Sequence, residues 1–421
     1  LKFSGNTPFK TMETRGNSGP LSGIRVLDMS RILAGPSSAQ LLGDLGADVI
    51  KIERPESGDD TRGWGPPWLK DEQGNDTEES AYFLCANRNK RSLTIDFTKP
   101  EGQNILKQLA SKADVLIENF KVGGLRQYGL DYESLHHQFP ELIYCSITGF
   151  GQTGPYAKNP GYDFMIQGMG GIMSITGEPE GEPMKVGVAI VDLMCGMYAS
   201  VAILGALRHR DQGGGGQHID LALLDTHAAW LINVGMNYLT SGEEPRRFGN
   251  GHANIVPYQP YPASDGYFIL TIGNNVQFRK FCDFAEIPEI PDDPRFAQNP
   301  DRVKNRDLLE DIISRATEVH PKAHWLEGLK TLGVPCGPVN TVPEVFADPQ
   351  IQHREMEIQM DHELTGDAGM KMIGNPIQYS ETPVDYRHPP PMLGQHSHEI
   401  LKDWLNLEDS EIDGLSEKKV L

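Results

Sequence analysis

From residue 20 the chain alternates short β-branched runs with helical segments, and that order constrains its fold more than any other feature. "IRVLDMS" (24–30) reads as a strand, "PSSAQLLGDLG" (36–46) as a helix and "ADVIKIE" (47–53) as a second strand. Pro36 suits a first helical turn and Gly46 a C-terminal cap. Such a βαβ unit implies parallel strands joined by a right-handed crossover. The alternation continues with a helix over 101–112 and strands over 113–120 and 141–151. Strands that are nearly continuous apolar runs suit a sheet covered on both faces. The expected fold class is therefore α/β, with a Rossmann-like large domain built on a mainly parallel sheet. The phosphate-binding G-x-G-x-x-G is absent after the first strand, where "SRILAGPSSAQ" stands. That argues against a dinucleotide, while the crevice at the strand ends remains the expected ligand location.

A chain of 421 residues predicts two domains. We expect a large domain over 20–225, a smaller α+β domain over 245–335, and a C-terminal segment over 345–421 that returns to the large domain. Residues 1–19 are expected to be a flexible N-terminal segment. There Lys2, Lys10 and Arg15 among Ser, Thr and Gly fit the end of an organelle transit segment as well as a disordered tail or cloning remnant. Because the chain opens at Leu1, native residues upstream of it are expected. The net charge of −20 argues against nucleic-acid partners and a polybasic membrane patch, although local arginines can still hold a small anion. No apolar run reaches the roughly 20 residues of a membrane span without interruption by Gly or Asp. Five cysteines without a C-x-x-C pair fit a reducing compartment and give no zinc motif. His396 and His398, two apart, would lie on different helical faces and do not read as a metal pair. The "DQGGGG" run (211–216) reads as a helix-to-strand turn, because no Lys-Ser/Thr follows it.

One residue interrupts the pattern. Asp192 lies within "KVGVAIVDLMCGMYASVAILGAL" (185–207), which is otherwise apolar and small apart from its first residue. Burying an isolated carboxylate costs several kcal/mol, about 2–7 even for a neutral polar group, unless it is paired or neutralised. Asp192 opens a long helix expected over 192–210, so local sequence alone favours a helix cap over a chemical role. Gly and Ala recur along that helix and would let neighbouring backbones approach closely.

The segments "LSGIRVLDMSRILAGP", "LGADVIKIERPESGDDTRGW", "NRNKRSLTIDF", "ADVLIENF", "GYDFMIQGMGG", the Asp192 stretch, "VPCGPVN" and "PPPMLGQHSHEIL" stand in an order that resembles the family III (CaiB/BaiF-like) CoA-transferases. Formyl-CoA:oxalate and carnitine CoA-transferases belong to that family, and 2-methylacyl-CoA racemases share its fold. "GDDTRGWGPP", "YCSITGFGQTGP", "ANIVPYQPY" and "GNNVQF" are most similar to the mitochondrial enzymes acting on succinyl-CoA and glutarate or hydroxymethylglutarate. The resemblance implies an interlocked, ring-like homodimer. It also implies an acyl-CoA and a dicarboxylic acid as substrates, with no permanently bound cofactor and no metal. The location would be the mitochondrial matrix in a eukaryote or the cytoplasm in a bacterium.

By the same resemblance Asp192 is the nucleophile that carries CoA as a thioester, which reverses the preference for a cap. Gly249, Asn250 and Gly251 would donate backbone N–H groups to an oxyanion, and as an Asn-Gly pair they also read as a turn. Ile32, Leu33, Ala34, Arg54, Ile95, Asn119, Phe120 and Tyr162 match CoA contacts, with core packing a competing role for Phe120. The family often has an arginine at the place of Gln127; here Arg126 is next door, which puts that phosphate contact in doubt. Arg31, Arg246, Arg247 and His252 are candidates for the distal carboxylate of a diacid. Asp192 was expected to find partners among the N–H groups of its helix N-terminus. A racemase needs an acid/base pair, and Tyr162 replaces the histidine that racemases carry in this motif. A CoA-binding protein without turnover is the remaining alternative.

Overall fold

The computed structural model describes residues 19–421, so the segment expected to be flexible lies, Gly19 apart, outside the described residues. The chain forms two compact units. The first runs to Ile166, resumes over Ala189–Ala228 and closes with His353–Leu421. The second holds Gln167–Val188 and Ala229–Gln352.

Residues 167–188, expected in the large domain, belong to the second unit because their hydrogen bonds are made there. Gly249 N–H donates to the Gly177 carbonyl, and the Arg247 guanidinium donates to the carbonyls of Glu178, Pro179 and Gly181. The second unit also extends beyond 245–335 on both sides, and the returning C-terminal segment starts at His353 rather than 345.

In the first unit, strands β1 (Arg25–Asp28), β2 (Asp48–Glu53), β3 (Lys90–Thr94), β4 (Val115–Glu118), β5 (Ile143–Thr148) and β6 (His218–Ala222) form one parallel sheet. Their order is β3-β2-β1-β4-β5-β6. This is the doubly wound order, with its switch point between β1 and β4. Side chains alternate between two apolar faces. Val26, Val115 and Cys145 pack against helix α1 (Ala34–Asp44), while Leu27, Leu116 and Tyr144 pack against helix α2 (Pro100–Ala110). Ile400, Leu401 and Trp404 of the C-terminal segment complete the second face, burial of the Ile and Leu side chains contributing about 1.5–3 kcal/mol each.

Helix α3 (Asp163–Met169) precedes helix α4 (Ile190–Asp211), the long helix that carries Asp192 as its third residue. Glycine sets how closely α4 passes α1. A Cβ on Gly196 would stand 2.7 Å from the Ala34 carbonyl oxygen, and the Ser38 and Ser200 hydroxyls meet at 3.0 Å nearby. By length and composition α4 could cross a membrane, but half of it is buried as a core helix. Its outward face presents Leu193, Met197, Val201 and Leu204. α4 ends at Asp211, Gly213 turns with φ +91°, and β6 follows. After β6 come two helices, Leu223–Ala229 and Ile232–Ser241.

The second unit contains antiparallel strands β7 (Tyr258–Ala263), β8 (Gly266–Thr271) and β9 (Cys336–Pro338) in the order β9-β8-β7. Helix α5 (Arg306–Thr317) and its neighbours enclose a core in which Phe268 stacks on Trp325 at 5.7 Å. In the first unit the two histidines of "GQHSHEIL" have separate tasks. His396 Nδ1 accepts the Ser92 N–H on β3, and His398 pairs with Asp409.

Candidate active site

The turn after β1 sits at the switch point and is held from three sides. Ser30 donates through both its N–H and hydroxyl to Asp28, whose carboxylate pairs with the buried Lys90. Lys51 donates to the Ser30 carbonyl and, at 2.8 Å, to Asp59. Asn119, just past β4, accepts the Arg31 N–H and donates to the Arg31 carbonyl. Asp59 in turn receives the Ile32 N–H at 3.2 Å, and Ile32 sits at φ +73°. A β-branched residue in that region is rare and costs about 1–3 kcal/mol, so the surrounding network must over-determine it. Burial alone would raise the Asp59 pKa, but the Lys51 ammonium and the Thr61 donors hold it at about 2. In Lys90 burial outweighs the attraction of Asp28 and lowers the ammonium to about 8.

This turn forms one wall of a cleft of about 480 Å³. Ile32, Leu33, Ala34, Asn119, Phe120 and Tyr162 line it together with Asp192 and Arg31. Among the expected CoA contacts, then, the structure gathers these six. The amide of Asn119 is already engaged in both directions by Arg31, so it shapes the wall. Phe120 meets Phe97 edge to face at 5.7 Å and packs on the core as well as lining the cleft. Arg54 lies in an adjoining smaller hollow that shares Arg31, Phe97 and Phe120 with the cleft. It is half exposed and, with Arg31, grips Asp60. Ile95 is a correction: it is fully buried in the core between the sheet and α2, so its side chain does not reach the cleft. Gln127 does line the cleft, whereas Arg126 pairs with Asp131. Lys121 and Lys158 supply cations to the same walls. Sequence reasoning passed over both, although Lys121 directly follows "ENF" and was open to notice.

Asp192 is 9% exposed, and its pKa is raised to about 7, first by burial and then by the charge of Asp163. The expected support from its helix N-terminus is overturned. Asp163 Oδ2 accepts the N–H groups of Val191 (2.8 Å) and Asp192 (3.3 Å), and the Ala189 cap supplies no side chain. The dipole is answered by a neighbouring carboxylate instead, and Asp192 becomes more basic. Tyr82 and Cys195 are each pushed up to about 12, by burial first and then by the charge of Asp192.

The glycine loop lies in the second unit. Gly249 takes φ +60° in a bridge to Gly177, and its N–H donates to the Gly177 carbonyl. Gly251 N–H donates to Phe248 O. Two of the three expected oxyanion donors are thus engaged, and among the described residues only the Asn250 N–H of the three has no acceptor. The buried Arg306 of α5 fastens the loop by donating to the carbonyls of His252 and Ala253. Arg247 is not a diacid anchor, because its guanidinium is spent on the 178–181 turn. Burial, then the Arg306 charge, lowers the pKa of His252, which weighs against it as the cation for a carboxylate. Arg246 lies over the Phe248 ring. Of the four diacid candidates, Arg31 is the one on the wall that holds Asp192.

A doubly wound sheet with a buried carboxylate on the wall of its switch-point cleft has the parts that an acyl-transferring enzyme requires: a crevice for a ligand and a side chain able to act as a nucleophile. The family model described as CoA-transferase family III matches residues 21–397, and the chain belongs to that family. Succinate–glutarate CoA-transferase of Agrobacterium fabrum is 49% identical over 92% of this chain and 96% of its own length. Human succinyl-CoA:glutarate CoA-transferase is 42% identical over 95% of this chain and 89% of its own. A CAIB/BAIF family protein of Brucella suis, solved as a crystal structure, superposes with a TM-score of 0.81 at 50% identity, covering 92% of this chain and all of that one.

Proposed function

We propose that this enzyme moves CoA from succinyl-CoA to glutarate or 3-hydroxy-3-methylglutarate through a thioester on Asp192. The observation that carries the reading is the buried Asp192 carboxylate on the wall of the switch-point cleft. An Asp192 oxygen attacks the succinyl thioester carbon; the C–S bond breaks and CoA leaves as a thiolate. The thiolate attacks the aspartyl carbon of the resulting anhydride, and succinate departs with the electron pair. The acceptor diacid then reverses the sequence, so one difficult exchange is divided into easier ones. CoA enters as a substrate, and the carboxylate chemistry calls on no resident cofactor. Lys121, Lys158 and Arg54 would meet its phosphates, and Arg31 the distal carboxylate of the diacid.

The names of the relatives support the choice of glutarate, and the tyrosine at 162 supports transfer over racemisation. The apolar outward face of α4 supports a homodimer. The enzyme would work in the mitochondrial matrix of a eukaryote or the cytoplasm of a bacterium. A competitive assay from succinyl-CoA into a panel of dicarboxylates tests the substrate reading, with glutarate or 3-hydroxy-3-methylglutarate expected to be the fastest acceptor. Absence of turnover with any five- or six-carbon diacid overturns it. Intact-mass detection of one CoA on the wild type and none on Asp192→Asn tests the intermediate.

A further inference from the structure

A helix N-terminus presents unpaired N–H groups and roughly half a positive charge, which would ordinarily make a carboxylate in its first turn more acidic. In α4 that positive end is occupied. Asp163, from the first turn of α3, accepts the N–H groups of both Val191 and Asp192. Its charge acts on Asp192, and among the described residues Tyr82 from the segment Ala81–Leu84 and Cys195 one turn along α4 are the titratable groups that feel the Asp192 charge in turn. Both are neutral at physiological pH, their pKa values pushed up to about 12. Asp163 therefore performs two tasks that a simple cap would not combine: it fixes the nucleophile's backbone and sets an anion against its side chain.

We propose that Asp163 is a positioning residue for CoA transfer, pinning the first turn of α4 and driving negative charge off Asp192 into the departing acid. This rests on the reading of Asp192 as the residue that carries CoA. In the free enzyme the Asp192 and Asp163 carboxylates repel each other in a desolvated setting. When Asp192 is acylated its charge passes to the CoA thiolate. When the thiolate then forms the Asp192 thioester by breaking the anhydride C–O bond, that charge leaves with succinate. The aspartyl thioester is neutral, so repulsion is relieved in the covalent state and restored in the free one. Asp163 thereby raises the nucleophilicity of the resting carboxylate and shifts the exchange equilibrium toward the CoA-bound enzyme.

The test compares wild type, Asp163→Asn and Asp163→Glu. Three quantities are read: Tm, the pH dependence of kcat/KM for succinyl-CoA, and the ratio of CoA-modified to free enzyme by intact mass at equal succinyl-CoA and succinate. Asparagine keeps an acceptor oxygen and removes the charge. We expect its kcat/KM midpoint to fall from about 7 by about one pH unit and its adduct ratio to fall about tenfold. Glutamate, which keeps the charge, should hold the midpoint near the wild-type value even where kcat drops through looser placement. The proposal is overturned if asparagine leaves midpoint and adduct ratio unchanged, or if glutamate and asparagine shift them alike, with losses that follow Tm. A wild type that forms no Asp192 adduct removes the underlying reading as well. A normal adduct that Asp163→Asn does not alter removes this inference alone.

Discussion

A buried carboxylate that titrates near neutrality is an uncomfortable resting state, and Asp192 shows what it costs. Its folded pKa, about 7, lies above the unfolded value near 3.8. The group's stabilising contribution is therefore complete below pH 4 and is lost as pH rises through 7. Asp192→Asn should abolish transfer yet raise stability at pH 8, by on the order of 3 kcal/mol. At pH 4 the gain should vanish; thermal melts at both pH values would show it, and equal shifts at both would contradict it. The position of Asp192 could be read from the chain as a polar intrusion in an apolar run. Its basicity could not, because the causes are burial first and then Asp163, both of which only the fold brings about. Arg247 teaches the complementary lesson: a free-looking cation in sequence became a clamp on three carbonyls once the chain had folded.

Among the elements, the strands were the most legible, because short, nearly continuous apolar runs alternating with helical segments leave few other choices than a parallel sheet covered on both faces. Helix starts were less so: the long helix expected from Asp192 begins two residues earlier, at Ile190. The small residues of α4 were readable as a place of close approach, but the partner was not. That partner is α1, whose first residue, Ala34, also lines the cleft. Gly196→Ala should push α1 away from α4, since the new methyl would meet the Ala34 carbonyl 2.7 Å away. We expect a loss of about 1–3 kcal/mol in unfolding free energy, together with a raised KM for succinyl-CoA. Denaturant melts and steady-state kinetics on the same preparation would detect both, and a stable variant with an unchanged KM would argue against this coupling.

Across the whole molecule, the chain passes between its two units four times, at 166/167, 188/189, 228/229 and 352/353. Sequence reasoning found only the later crossings, because the 167–188 segment carries no composition change and its allegiance is set by backbone hydrogen bonds to the glycine loop. The exposed α4 face belongs to this scale too, with Met197 and Val201 more than half exposed on a helix otherwise built for burial. If a second copy covers that face, Met197→Glu with Val201→Glu should halve the sedimenting mass and reduce activity. A wild type that sediments as a monomer would count against the dimer.

The first unit begins near residue 20 and is finished only by Ile400, Leu401 and Trp404 against the sheet and by His396 at the edge strand β3. On a ribosome the chain emerges from its N-terminus, so most of the polypeptide is made before those residues appear. Until then one apolar face of a parallel sheet and its edge stay open to water and to other chains. Synthesis of this enzyme thus carries a long window of vulnerability, one that closes only once the segment holding His396 to Trp404 has been made.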